Sequence, residues 1–281
     1  MNAHTQTQVD PIAIQRSWDA IAAGYDEYVT PTHAWLANEA LDRIDLGAGA
    51  RFLDVAAGSG ALSIAAARRG ARVLGTDISP GMIGRLNEHA RGYGLDHLSG
   101  RVMDGHSLDL DDGSFDASGS MFGVMLFPDL PRGLSEMARV TKPGGKVLVV
   151  TFGPPQQVEF LGFFLTAARQ VVPDFSGLPM DPPPLPFQVS HPGILRVRME
   201  GAGLLDVSVT TVTETQEFAS AEDLWNWIGN SNPIGADLIG RFSADQATSV
   251  RGVLDQMLGE RSGGRGPARL TNPINIGIGT A

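Results

Sequence analysis

Three carboxylates and a glycine turn are the residues of this chain whose types and spacing suggest chemistry. Asp54 stands inside the apolar run Phe52-Leu53-Asp54-Val55-Ala56-Ala57, which breaks at Gly58-Ser59-Gly60. Asp77 closes the next apolar run, Arg72-Val73-Leu74-Gly75-Thr76-Asp77, and Asp104 follows Val102-Met103. A strand, a glycine turn, a helix from Ala61 to Ala67 and a strand ending in a carboxylate make a unit that holds a nucleotide-like ligand. Backbone approaches the ligand closely at glycine, and the carboxylate takes the ribose hydroxyls.

Two ligands compete for such a turn. A dinucleotide brings an anionic pyrophosphate and favours G-x-G-x-x-G at the opening of a helix. Here Ser63 stands where the third glycine belongs, and Asp54 places a carboxylate one short loop from the phosphates, a repulsive arrangement in a partly desolvated site. S-adenosylmethionine instead presents an ammonium and a sulfonium, both cationic, which suit an acidic site. Asp104 is placed to accept from an exocyclic adenine amine.

These residues need a scaffold, and the pattern supplies one. Strands are expected at 51–56, 72–77, 99–103, 115–121 and 145–152, with helices at about 59–69, 80–93 and 130–140. Alternation at this spacing predicts a parallel sheet covered on both sides. Lys142-Pro143-Gly144-Gly145 is a strong turn before Lys146 to Val150, a run apolar enough to be buried on both faces. Helix is expected from Pro11 to a stop at Gly24, from Phe160 to Val172, from Pro192 to Gly201 and across 218–262. Further strands are expected at Asp206 to Val212 and Asn275 to Ala281.

The sequence resembles the class I S-adenosylmethionine-dependent methyltransferases, in particular the small-molecule branch of the ubiquinone/menaquinone-biosynthesis type. The matching stretches are Leu53 to Gly60, Gly75 to Met82, Asp112-Gly113-Ser114-Phe115-Asp116 and Glu136 to Gly145. The match extends over about 12–152, is looser from 191 onward (Gly201 to Val207) and is weak at 154–190 and 216–268.

The resemblance implies a Rossmann-like, seven-stranded, mostly parallel α/β sheet with helices on both faces, its last strand antiparallel, and a helical cap. It implies that Asp54 and the turn from Ala56 through Gly58, Ser59 and Gly60 face the methionine end of the cofactor. Asp77 would take both ribose hydroxyls, Ile78 and Met82 would pack on adenine, and Asp104 with the Gly105 amide would read the adenine edge. Met121 and Phe122 would lie between cofactor and substrate, and Tyr25 belongs to a segment that folds over the bound cofactor. Ala56 departs from the glycine many members carry.

The expected organisation is an N-terminal helical lid (1–50), a cofactor-binding core (51–153), a cap insertion (154–190), a core continuation (191–215), a helical cap insertion (216–268) and a last strand (269–281). The aromatics of the cap, Phe160, Phe163, Phe164, Phe187, Trp225 and Trp227, suggest an apolar or aromatic substrate. An apolar stripe serves equally as core. Trp225 and Trp227 cannot share one helical face, so one is expected in the core and the other at a pocket.

Every candidate also has an ordinary structural reading. Asp77 could cap the helix at Pro80, although Ser79 is the better cap. Asp104 could be a turn residue, Asp54 could hold the glycine loop, and Tyr25 could pack the first helix. Among six histidines, His4 lies in the tail, His33, His89 and His97 fall on surface-like segments, and His106 reads as structural or solvent-facing. His191, at the end of the proline-rich Pro179 to Pro186 region, is the candidate general base.

Composition bounds the rest. At 281 residues with 42% hydrophobic and 19% charged, the chain has ample material for a core. The net charge of −10 and the absence of an Asn/Asp-Pro-Pro-Tyr/Phe motif after the fourth strand disfavour nucleic acid as a partner. Without cysteine, disulfides and thiolate chemistry are excluded. No metal site is expected. Neither a signal core nor a membrane span is legible, so a cytoplasmic protein is expected. The reading is O-methylation of a small metabolite. A C- or N-methyltransferase, an NAD-dependent oxidoreductase and a non-catalytic cofactor-binding protein are the alternatives.

Overall fold

A computed structural model describes residues 10–172, 174–179 and 181–281; His4 and the rest of 1–9 lie outside them. The seven strands are β1 (Arg51–Val55), β2 (Arg72–Asp77), β3 (Leu98–Val102), β4 (Phe115–Met121), β5 (Thr141–Phe152), β6 (Leu205–Phe218) and β7 (Ala268–Thr280). They form one sheet in the order β3-β2-β1-β4-β5-β7-β6. The first five pair in parallel, and β7 runs antiparallel to both neighbours. This is the expected seven-stranded, mostly parallel sheet with helices on both faces. The order reverses between β1 and β4, so a crevice opens at the carboxyl ends of those strands.

The early elements start and stop where their chemistry says. The helix α1 (Pro11–Gly24) has Asp10 accepting from the Ile12 N–H and proline at its first position. Helices α2 (Ala34–Leu41) and α3 (Ala61–Arg68) follow, and Ser79 caps α4 (Pro80–Gly92) by accepting from the Met82 N–H at 3.1 Å. The helix α5 (Leu130–Val140) brings Arg139 to Glu136, to Asp112 and to the carbonyls of Leu108 and Leu110. That network staples the loop before β4, which explains why those motif residues occur together.

As expected, α1 ends at Gly24; a π-helical turn (Tyr25–Val29) and a 3-10 turn (Thr30–His33) then carry the chain into α2. Two expectations at the sheet edge change. β5 begins at Thr141, so the Pro-Gly-Gly signal is a feature of the strand's own start. β6 and β7 are longer than expected because they extend past β5. Phe152, the last residue of β5, lies level with Ile274 and, through it, Val212. Residues 213–218 and 268–273 therefore pair only with each other, beyond the carboxyl end of the central sheet.

The remaining helices are α6 (Glu159–Val171), α7 (Pro192–Gly201), α8 (Ala221–Ser231), α9 (Pro233–Gly240) and α10 (Ala244–Ser262). The last has a reciprocal cap between Ser243 and Gln246 and ends at Gly263, φ 62°. Both tryptophans of α8 are buried, and they divide as expected: Trp225 lies in the core, while Trp227 also borders a small cavity. Trp225 packs on Phe164 and Phe242, and Trp227 on Phe160 and Phe218. Residues two apart point to opposite sides, and α8 is covered on both.

The β6–β7 extension carries an unusual polar group. Glu214 lies level with Asn272, and Gln216 is two residues along the same face. All three are at most 3% exposed, and their side-chain polar atoms have no partner among the described residues. Burial pushes the Glu214 carboxyl up to about 7. Its folded pKa thus lies above its unfolded value, so its contribution to stability is complete below that unfolded value and is lost as pH rises through about 7. Glu214→Leu should raise stability at pH 8 by about 1–3 kcal/mol and flatten the pH dependence of the melting temperature. Thermal melts at pH 5 and pH 8 that leave the variant as pH-sensitive as the parent would refute this.

Candidate active site

A cavity of about 1220 Å³ occupies the crevice. Its wall follows the carboxyl ends of the strands: Ala56 and Gly58 after β1, Asp77 and Ile78 after β2, Met103 to His106 after β3, and Met121 to Gly123 after β4. Met82 from α4 and Tyr25 from the lid complete the side that the sequence indicated. The structure thus brings Tyr25, Ala56, Gly58, Asp77, Ile78, Met82, Asp104, Gly105, Met121 and Phe122 to one cavity.

The glycine turn is held by unusual backbone. Ala56, Gly58 and Gly60 have φ of 55°, 55° and 105°. Alanine at positive φ is strained, and Gly123 makes room for it: a Cβ at Gly123 would sit 2.5 Å from the Ala56 Cβ. The departure at Ala56 therefore has its complement across the sheet.

Asp77 is the electrostatic centre of the wall. Its Oδ2 accepts from the Gly58 N–H and its Oδ1 from the Ser79 N–H, each at 2.9 Å. Burial raises its carboxyl to about 6, against the stabilising effect of those two amides. A carboxylate offers about four acceptor sites, so further lone pairs on both oxygens remain for the two hydroxyls of a ribose. Asp104 accepts from both the N–H and the Nδ1 of His106, which stacks on Phe127. These features fit S-adenosylmethionine: a twin acceptor for the ribose at Asp77, apolar Ile78, Met82 and Met103 for adenine, and an acceptor at Asp104 beside the Gly105 amide.

Four expected site residues sit elsewhere. Asp54 does not face the cavity. It is 1% exposed beneath the loop, where Ser63 Oγ donates to its Oδ2 at 2.6 Å, and burial pushes its carboxyl up to about 7. Ser63, the residue in place of a third glycine, is thus the partner of Asp54. Ser59 is fully buried and bonds to the Thr30 hydroxyl of the lid, while Gly60 starts α3. His191 is exposed, and its Nδ1 accepts from the Gly193 N–H at 3.1 Å as the cap of α7. It is not among the cavity residues.

The structure adds residues that no motif marked. The lid contributes Ile14, Ser17 and Trp18, the segment before α5 contributes Phe127, the first turn of α5 contributes Arg132, and the cap contributes Leu185, Pro233 and Ile234. The lid is pinned over the cavity by two carboxylates. Asp19 accepts from the Ser79 hydroxyl and from the Gly81 N–H at 2.9 Å, and Asp26 meets His89 Nε2 at 2.7 Å and Arg85 at 3.3 Å. His33, expected on a surface-like segment, is 4% exposed behind Phe122. The only local sign was its place in the apolar stretch ahead of Trp35 and Leu36.

With that geometry, comparison with known proteins is informative. Residues 53–149 match the family described as a methyltransferase domain. Over 151 residues the chain is 35% identical to demethylmenaquinone methyltransferase of Corynebacterium glutamicum, across 52% of this chain and 62% of that one. An uncharacterized protein of Mycobacterium tuberculosis is 39% identical over 107 residues, 38% of this chain and 39% of its own. The chain thus spans between about two fifths and three fifths of the length of these curated relatives.

Among solved structures, phosphoethanolamine N-methyltransferase 2 of Haemonchus contortus in complex with S-adenosyl-L-methionine superposes with a TM-score of 0.56. It shares 18% identity, over 98% of this chain and 58% of that one. A complex of the Haloferax volcanii Trm112 methyltransferase activator and a putative methyltransferase gives 0.59 at 23%, over 95% and 97%. These two likenesses concern the fold. The match to the methyltransferase-domain family thus takes in the glycine turn, Asp77 and Asp104. Among the described residues, no helix is long and apolar enough to cross a membrane, and no cluster of three or more metal-ligating side chains occurs.

Proposed function

We propose that this chain binds S-adenosylmethionine in the crevice and directs methyl transfer to an oxygen of a small apolar or aromatic metabolite. The observation that carries this reading is the continuity of the cavity. A wall with the twin acceptor Asp77 at one end runs on to Trp18, Phe122, Leu126 and Phe127. When bound, the cofactor supplies an activated methyl on a sulfonium, so the chemical drive is its own. The chain's residues orient the two partners and exclude water. Asp77 and Asp104 hold the nucleoside end, Tyr25 and α1 cover it, and the aromatics around Phe122 hold the acceptor.

A second reading is transfer to a ring carbon of a hydroxylated aromatic compound. The 35% identity with a demethylmenaquinone methyltransferase favours it. Both readings are tested by incubating the protein with S-adenosylmethionine labelled with ¹³C at the methyl and a panel of phenols, quinols and amines. The methyl carbon resonance of each product then distinguishes oxygen, carbon and nitrogen attachment. Methylated phenol oxygen is the expected result. Cofactor binding with no transfer to any acceptor would favour a non-catalytic binding protein, and binding of NAD instead would favour an oxidoreductase.

A further inference from the structure

Behind Phe122 lies a second, smaller cavity of about 30 Å³, which shares Trp18, Tyr25, Phe122 and Leu126 with the large one. It therefore forms a recess adjoining the crevice, with these four side chains between the two. A recess of this size admits one small polar group and needs two or more polar partners to hold it. Its polar lining is His33, Ser231 and Asn232; the rest is aromatic or aliphatic, including Phe152 and Trp227. Asn232 and Ser231 are occupied locally. The Asn232 Oδ1 accepts from the Gly235 N–H as the cap of α9, and Ser231 Oγ donates to the Ile228 carbonyl. His33 is different: its Nε2 is buried and has no partner among the described residues.

The position of His33 is fixed by its neighbours. It ends the 3-10 turn that leads into α2, and its ring lies against Phe122 with centroids 5.0 Å apart and planes tilted by 43°. Phe122 itself is held at φ 58° where β4 leaves the sheet. The preceding Thr32 hydroxyl donates to the Val29 carbonyl and accepts from Trp227 Nε1, which ties the lid turn to α8 of the cap. Lid, sheet and cap thus meet around one imidazole. An unpaired buried ring nitrogen is destabilising, a cost that a ligand hydroxyl in the recess would offset.

Resting on the reading that a metabolite hydroxyl accepts the methyl, we propose that His33 Nε2 contacts that hydroxyl and takes its proton. The step balances. The acceptor oxygen forms a bond to the methyl carbon as the carbon–sulfur bond of the sulfonium breaks, and the electron pair of that bond stays on sulfur. The hydroxyl proton passes to Nε2, so one positive charge leaves sulfur and one appears on the imidazole. Burial pushes the His33 imidazole down to about 4, so the free ring is neutral at pH 7 and its lone pair is available. Among the described residues, no carboxylate or cationic side chain lines the recess to compete for the proton, and Tyr25 is the other titratable group there.

The test compares two acceptors. At pH 8.5, 2-naphthol keeps its proton in large part, whereas 4-nitrophenol is ionised and has none to lose. His33→Gln and His33→Phe should lower transfer to 2-naphthol by about 100-fold or more, in line with general-base contributions. Transfer to 4-nitrophenol should fall less than about threefold, with S-adenosylhomocysteine affinity and melting temperature near those of the parent. Equal losses on both phenols, or no loss on 2-naphthol, would overturn the assignment.

A second measurement does not depend on turnover. In ¹⁵N-histidine-labelled protein saturated with S-adenosylhomocysteine, 2-naphthol should shift the Nε2 resonance that is missing from His33→Gln. A resonance unmoved at high 2-naphthol overturns the placement of His33. If the parent methylates neither phenol yet the resonance shifts, the hydroxyl-acceptor reading fails while the contact stands.

Discussion

Asp77→Asn should weaken S-adenosylmethionine binding by tenfold or more while leaving the fold intact. The carboxylate already serves the Gly58 and Ser79 amides and offers its remaining lone pairs to the cavity. Hydrogen bonds to a charged acceptor contribute about 1.5–3 kcal/mol each, and about 1.4 kcal/mol is a factor of ten in affinity. The same carboxylate gives the binding a pH dependence. Burial raises its pKa to about 6, and hydroxyl donors favour the ionised form, so binding draws the proton off. Affinity should therefore fall as pH drops through about 6. Calorimetry near pH 6 in buffers of different ionisation heat should show net proton release in the parent and less in the variant. Unchanged affinity in Asp77→Asn would sink the ribose assignment.

Phe164→Ala should produce the largest loss of stability among single changes in the cap. Phe164 is fully buried on α6, with Trp225 5.9 Å and Phe242 6.1 Å away between ring centroids. Truncating a buried phenylalanine costs about 3–5 kcal/mol, because the lost transfer energy adds to the cavity left behind. In a chain of this size each kcal/mol shifts the melting temperature by about 2–4 °C, so a drop of about 10 °C is expected in scanning calorimetry. Cofactor affinity should hardly change, since Phe164 is not part of the cavity wall. A shift below about 2 °C would mean that the aromatic cluster of α6, α8 and the turn after α9 is not part of the cooperative core.

The cofactor half of the site was legible because its function constrains backbone. A strand end, a left-handed turn and a carboxylate two strands away leave local signatures, and Asp77, Asp104 and the Gly58 loop are where those signatures put them. The ends of β4 were also legible, whereas β5, β6 and β7 began or ended several residues from their expected bounds. Asp54 misled for the opposite reason. A carboxylate in a strand attracts a functional reading, but its partner Ser63 lies in the next helix, and a residue's direction within a strand depends on register with neighbours. The exposure of His191 and the burial of His33 were not legible, because burial of a single histidine is set by tertiary packing. The cap covers His33, whereas His191 has an adjacent amide to satisfy at the start of α7. The pair Trp225 and Trp227 divided between core and cavity edge as their spacing implied, but no periodicity announced the second covering layer that buries both.

The paired ends of the β6–β7 extension have a consequence for how such a protein changes over generations. Phe218 and Ala268 lie side by side across the ladder, so residues 219–267 leave the sheet and return to it at neighbouring points. Exchanging such a closed segment for one of another length costs little chain entropy, because closure cost grows only slowly with loop length. Asp77 and Asp104, proposed to hold the nucleoside, lie outside that segment, whereas Trp227, Ser231, Asn232, Pro233 and Ile234 lie inside it. Acceptor preference can thus be rewritten as a cassette, one anchored hairpin at a time, without disturbing the machinery that holds the methyl donor.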